Sequence, residues 1–237
     1  MIPTGIQASN RLRYCPEASI RFQDRTHAGR LLGAQLSQQG LQDDNTTVLG
    51  LVRGGALVAC EAAKVCQLPW DVFVVRKIGA PDQPEYAVGA VCETGRYITN
   101  QSALHLLNLD AQWVSAAVDS ATSRCLQLSR QLRAQAPKPR LAGRRIVLVD
   151  DGMATGLTMR AAISGVQGAG AGKVIVAVPV LAPDALAMLR ELQVEVCYLS
   201  APPGFRAVGQ YYAGFQPVTT EQVVALLAAR ARPEGGE

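Results

Sequence analysis

Histidine is scarce in this sequence: His27 and His105 are the two among 237 residues. They support no Ser-His-Asp or Cys-His arrangement, and each reads as a surface or packing histidine. The six cysteines, at 15, 60, 66, 92, 125 and 197, include no CxxC pair and no metal-ligand spacing. Several fall in apolar segments, where a thiol packs as a small hydrophobe, as expected in a reducing compartment. No apolar run reaches the roughly 18 residues of a membrane span, and residues 1–8 have neither the cationic region nor the apolar stretch of a signal peptide. A soluble, cytoplasmic protein with no membrane partner is expected. Runs of Lys and Arg with interleaved aromatics are also missing. The net charge of +4 and pI near 8.8 therefore do not describe a nucleic-acid face, and no nucleic-acid partner is expected. A phosphorylated small molecule suits that balance.

What is present is ordinary globular material, 49% hydrophobic and 18% charged, enough to bury a sizeable core. The expected organisation is an N-terminal lead-in over 1–20 and a main domain over 21–218 carrying a helical insertion at about 95–143. A C-terminal helix and tail follow over 219–237. Helical periodicity appears over 24–39 and again over about 111–136, where Val114, Val118, Ala121, Cys125, Leu128 and Leu132 recur at steps of four and three. Short apolar runs at 48–52, 70–75, 146–150, 174–180 and 194–199 read as buried strands, most of them alternating with helix-forming segments. That pattern predicts an α/β fold, a Rossmann-like parallel sheet with helices on both faces. After 75 the punctuation GAPDQPEYAVGAV predicts a loop that leaves the sheet. Thr219 to Gln222, TTEQ, has the form of a capping box before a last helix over 223–231.

In open parallel sheets ligands bind beyond the carboxyl ends of the strands. Three segments end a strand with suitable chemistry: Arg53-Gly54-Gly55, Arg76-Lys77, and residues 150–158. The last is the most specific. Asp150 and Asp151 are consecutive acids at the end of a buried strand, costly unless they bind hydroxyls, a metal or a base. Gly152, Gly156 and the hydroxyls of Thr155 and Thr158 then make a turn able to surround a phosphate. Acids for a diol beside a turn for phosphate suggest a ribose 5-phosphate. A Walker B strand also ends in acids, but the required GxxxxGK[ST] is missing: residues 168–173 lack its first glycine and its Ser/Thr, and they precede a strand. Taken alone, the RGG turn is as much a plain turn as an anion site, and Arg76-Lys77 reads first as a solvated strand end.

IVLVDDGMATGLT, residues 146–158, resembles the signature of the type I phosphoribosyltransferases: a hydrophobic strand, two acids, and a turn with Thr-Gly and a further Thr or Ser. The likeness extends over about 48–158. Residues 50–55 look like the family's pyrophosphate loop, and VVRKIGAP at 74–81 is similar to the approach to the flexible loop of the adenine enzymes. The resemblance implies that Asp150 and Asp151 hold the ribose hydroxyls. The turn with Met153, Ala154, Thr155, Gly156 and Thr158 would take the 5-phosphate. Arg53, Gly54 and Gly55 would hold pyrophosphate, often in a loop with a non-proline cis peptide, and Arg76 and Lys77 would approach the same group. It further implies Mg2+ bound by the diphosphate and ribose hydroxyls, with Asp150 and Asp151 reaching it through water, and a homodimer, a frequent state in the family.

The implied reaction displaces pyrophosphate from C1 of phosphoribosyl pyrophosphate by a nitrogenous small-molecule acceptor such as a nucleobase, as in nucleotide salvage. Asp150, Asp151, Lys77 and Glu85 are the expected catalytic groups. Ala154 stands where 6-oxopurine enzymes carry an acid, which argues against hypoxanthine or guanine. The adenine enzymes use an acid from the flexible loop instead, and Glu85 and Glu93 are the candidates. The aromatics of PPGFRAVGQYYAGF, Phe205, Tyr211 and Tyr212, suit either a stacking surface for a base or a plug over the sheet end. Two other readings stand: a non-catalytic regulator that senses phosphoribosyl pyrophosphate, and a phosphatase- or phosphorylase-like enzyme acting on another sugar phosphate.

Overall fold

A computed structural model describes residues 20–41, 43–133 and 137–230. All but the last residue of the lead-in expected at 1–20, Cys15 included, and the tail after 230 lie outside the described residues. Five of the expected strands form one parallel sheet. In chain order they are β1 (Thr46–Leu51), β2 (Trp70–Phe73), β6 (Arg145–Val149), β7 (Lys173–Val180) and β8 (Glu195–Ser200), arranged β2-β1-β6-β7-β8. Their near-continuous Val/Ile/Leu runs are what a strand covered on both faces needs. Alternate side chains accordingly enter two separate cores. Val48, Val147, Val149 and Ile175 pack under α1 (Arg25–Ser37) and α2 (Gly54–Cys66). Leu49, Ile146, Leu148 and Val176 pack under α5 (Leu157–Gly168) and α6 (Pro183–Glu191).

The stretch expected to be a loop is instead a second sheet. β3 (Val75–Ala80), β4 (Gln83–Cys92) and β5 (Tyr97–Thr99) pair antiparallel in the order β3-β4-β5. The Gly/Pro punctuation that suggested a loop is accommodated by register shifts at Ile78/Gly79 and Gly79/Ala80. Gly79 passes so close to Pro84 that a Cβ there would lie 2.3 Å from its carbonyl oxygen. The apolar run at 70–75 is likewise divided, its last residue belonging to the hairpin. Within the expected helical insertion, Tyr97–Thr99 is the third strand of this sheet, and α3 (Gln101–Leu106) and α4 (Ala111–Leu132) supply the helices. The Asp110 carboxylate caps α4 by accepting from the Trp113 amide at 2.7 Å.

One buried ion network fixes the hairpin to the main sheet. Arg133, just past α4, donates to Glu93 at the end of β4 at 2.7 and 3.0 Å, to the Ser129 hydroxyl and to the Val72 carbonyl. It also lies 3.5 Å from Asp71 on β2, and Asp71 pairs at 2.8 Å with Arg230 at the end of α7 (Thr220–Arg230). The start of α7 is the expected capping box: the Gln222 amide donates to Thr219 Oγ1 at 3.2 Å, and the Thr219 amide to Gln222 Oε1 at 2.9 Å. Thr219→Ala should cost about 1 kcal/mol, measured as a lower urea midpoint with unchanged slope.

Candidate functional site

β1 and β6 are neighbours in the sheet, so their carboxyl ends deliver the RGG turn and the Asp-Asp turn side by side. β6 stays buried through Val149 because both its faces are covered, and the chain emerges at Asp150 and Asp151, each partly accessible. The following turn is tied to the next strand: the Met153 amide donates to the Val180 carbonyl at 2.9 Å, and the Ala182 amide to the Met153 carbonyl at 2.8 Å. Ala154 and Thr155 are pushed out to solvent at its crest. Gly156 then adopts φ +74° at the amino end of α5, where no side chain caps the helix. An amino end of this kind, with first-turn amides that no side chain caps, suits an anion.

The RGG turn opens α2 in the same way, with Arg53 exposed, no side-chain cap, and a cis Val52–Arg53 peptide. The two turns are in contact. A Cβ at Gly54 would fall 1.9 Å from Asp151 Oδ2, and one at Gly55 would fall 2.8 Å from the Asp150 Cα. Glycine is required at both positions because the backbone itself packs on the acids.

Burial raises the Asp150 carboxyl well above the usual carboxylate range, and the adjacent Asp151 charge adds to it, against the attraction of Lys77 and Arg25. Burial also raises Asp151, with Arg25 the main opposing influence. Two desolvated acids with insufficient counter-charge favour a ligand that supplies hydroxyl donors or positive charge.

Arg25 belongs to none of the motifs legible in the sequence. It sits at the start of α1, nearly buried, with Nε 2.7 Å from Asp151 Oδ2, one NH2 group donating to the Gln216 carbonyl at 2.8 Å, and the guanidinium 3.9 Å above the Phe215 ring. The Tyr212 hydroxyl donates to the Asp151 carbonyl, and burial drives that phenol far above its ordinary pKa. Tyr212 also packs on Phe22 and Phe215, ring centroids 5.2 and 4.9 Å away, so of the two readings it is the plug. Phe205 and Tyr211 stack on each other at 5.5 Å and stay partly accessible.

Arg76 and Lys77, expected to act together, both line one cavity against α4, and as neighbours on β3 they alternate in face. Arg76 shares a face with Ile78, toward α4, and its charge is felt at Cys125. Lys77 shares a face with Val75, toward α5, and its charge is felt at Asp150. Lys77 lines a cavity of about 570 Å³ together with Glu85, Tyr86, Thr155 and Arg160. Glu93, the other loop acid, is committed to Arg133 in the buried network.

Fold and site together define an α/β protein that presents two anion-suited turns around a carboxylate pair. A model of the phosphoribosyl transferase domain family matches residues 23–200. A Mycobacterium tuberculosis protein, provisionally named a phosphoribosyl transferase and found in two strains, is 41% identical over 206 residues, which are 87% of this chain and 46% of that protein. The chain thus spans about half the length of the curated relatives it matches. The crystal structure of TT1426 from Thermus thermophilus is 42% identical, with a TM-score of 0.76 over 90% of this chain and 100% of the other. The chain belongs to the phosphoribosyl transferase domain family.

Proposed function

We propose that this chain binds phosphoribosyl pyrophosphate with Mg2+ and transfers its 5-phosphoribosyl group to a nitrogenous small molecule, releasing pyrophosphate. The observation that carries this reading is the contact between the RGG turn and Asp150-Asp151, which supports a pyrophosphate cradle adjoining a diol-binding pair and a 5-phosphate turn. Asp150 and Asp151 accept the ribose hydroxyls. The amides of the turn from Met153 to Thr158 hold the 5-phosphate, with the Thr155 and Thr158 hydroxyls beside them. Arg53, Gly54 and Gly55 hold the pyrophosphate, and Lys77 adds charge to the leaving group from the hairpin. Arg76 belongs to the α4 side in this reading. Such a displacement passes through an oxocarbenium-like state, so placed oxygens and a neutralised leaving group matter more than a protein nucleophile.

Two adjacent acids at an open strand end suit a cation that keeps most of its water and takes its remaining ligands from substrate oxygens. Among the described residues no cluster of three or more His, Cys, Asp or Glu offers a protein cage. Asp150 and Asp151 would meet Mg2+ through water, and the ion would neutralise the diphosphate. Ala154 disfavours a 6-oxopurine acceptor, and in this reading Glu85, which lines a cavity with Lys77 and Thr155, is the acid that meets another base. Among the described residues no helix is long and apolar enough to cross a membrane.

Calorimetric titration of Mg2+ and phosphoribosyl pyrophosphate into the wild type tests the reading; no binding would sink it. Incubation with labelled donor and a panel of nitrogenous bases then separates transfer from sensing, since a sensor binds the donor and forms no adduct. Arg53→Ala should weaken the donor several-fold more than ribose 5-phosphate, and equal losses would remove the RGG turn from the pyrophosphate role.

A further inference from the structure

Arg25 lies outside every motif discussed above, yet it meets three parts of the protein at once. Its Nε takes Asp151 Oδ2 at 2.7 Å, it donates to the Gln216 carbonyl at 2.8 Å, and it stacks on Phe215 at 3.9 Å. α1 holds its backbone, and Asp24 caps that helix by accepting from the His27 amide at 2.8 Å. Gly54 packs against the same carboxylate oxygen, where a Cβ would collide with Asp151 Oδ2 at 1.9 Å and approach Arg25 Nε at 3.1 Å. Asp151 Oδ2 is therefore covered by both a guanidinium and the RGG turn. The Tyr212 hydroxyl fixes the Asp151 carbonyl as well, so both ends of the residue are held.

We propose that Arg25 is a positioning residue for the ribose: by occupying Asp151 Oδ2 it turns Oδ1 toward the donor's hydroxyl and keeps the Asp151 side chain in one rotamer. This rests on the assignment of Asp151 to the ribose. The pairing has a chemical logic. A free carboxylate next to Asp150 swings away from its like-charged neighbour, whereas a nearly buried guanidinium with its own two further anchors holds it in place. Arg25 does not contact the donor; it acts through Asp151. Lysine at 25 supplies the charge without the planar geometry that joins Asp151, Gln216 and Phe215.

The test is a mutant cycle read by binding and turnover. Wild type, Arg25→Gln, Arg25→Lys, Asp151→Asn and the double variant Arg25→Gln/Asp151→Asn are titrated, with Mg2+, with phosphoribosyl pyrophosphate and separately with pyrophosphate. Arg25→Gln should weaken the sugar donor about tenfold, the size of one charge-assisted hydrogen bond, and change pyrophosphate less than twofold. Arg25→Lys should recover part of the loss. In the Asp151→Asn background, Arg25→Gln should add less than twofold, because the group it positions is gone. In turnover, the change should fall on KM for the donor and on kcat, with KM for the acceptor preserved. Equal losses for donor and pyrophosphate, or additive losses in the double variant, would show that Arg25 merely supports the fold and would overturn the proposal. A wild type that binds neither ligand would remove the proposed function and this inference with it. A wild type that binds both, beside an Arg25→Gln variant that binds equally well, would remove this inference alone.

Discussion

Asp150→Asn/Asp151→Asn is expected to lose Mg2+-dependent donor binding by at least about a hundredfold, since two hydrogen bonds to charged groups, each worth roughly 1.5–3 kcal/mol, are weakened together. Calorimetry or thermal-shift titration measures it. A double variant that binds like the wild type would displace the sugar from the Asp-Asp turn. The single change Asp150→Asn should also make the empty protein more stable at pH 7. The folded state raises the Asp150 carboxyl above its ordinary value of 3.8. Folded protein therefore binds the proton more tightly than unfolded protein, and stability falls as pH rises from that ordinary value to the raised one, then levels. Asparagine does not titrate, so its advantage over the wild type should grow through the same window. Unfolding midpoints at a series of pH values check this. A variant less stable than the wild type at pH 7 would mean that Asp150 is not held under electrostatic stress. Lost binding beside gained stability is the usual mark of a group retained for its ligand.

The largest stability effect should come from Arg133→Met, at about 3–5 kcal/mol. The methionine fills much of the same space but strands Glu93 and leaves Asp71 with Arg230 and the Val72 amide, both acids nearly inaccessible. Adding Glu93→Gln to Arg133→Met should return part of the loss by removing the uncompensated charge. If Arg133→Met costs under about 1 kcal/mol by urea denaturation, the network is not what fixes the hairpin.

The main sheet was legible in the sequence because its strands are buried and so read as largely apolar runs, interrupted in β2 by Asp71. The hairpin was not. Tyr86 is exposed and Val88 buried within one strand, and Gly79, Pro81 and Pro84 interrupt the pattern where register shifts absorb them. The Asp-Asp turn was legible because all its functional groups are consecutive. Arg25 was invisible for the opposite reason: its partner Asp151 is 126 positions away, and nothing in RTHAGRLL distinguishes that arginine from a solvated one. The alternation in face of Arg76 and Lys77 was available in principle, once the segment was recognised as a strand and not a loop. Glu85 and Glu93 looked equivalent as loop acids; only the position of Arg133 distinguishes them.

The enclosure of Asp151 joins the two ends of the described chain. Phe22 pairs with Tyr212 through backbone hydrogen bonds to Tyr211 and from Ala213, and Arg25 reaches Gln216 across 191 positions. During synthesis, which proceeds from the amino end, every residue of the Asp-Asp turn is present once residue 158 has emerged, but its ties to Val180 and Ala182, the Tyr212 bond to Asp151, and the Phe215 and Gln216 contacts that hold Arg25 form only later. A nascent chain or an internal fragment can therefore carry the whole recognisable motif and still lack an ordered binding site.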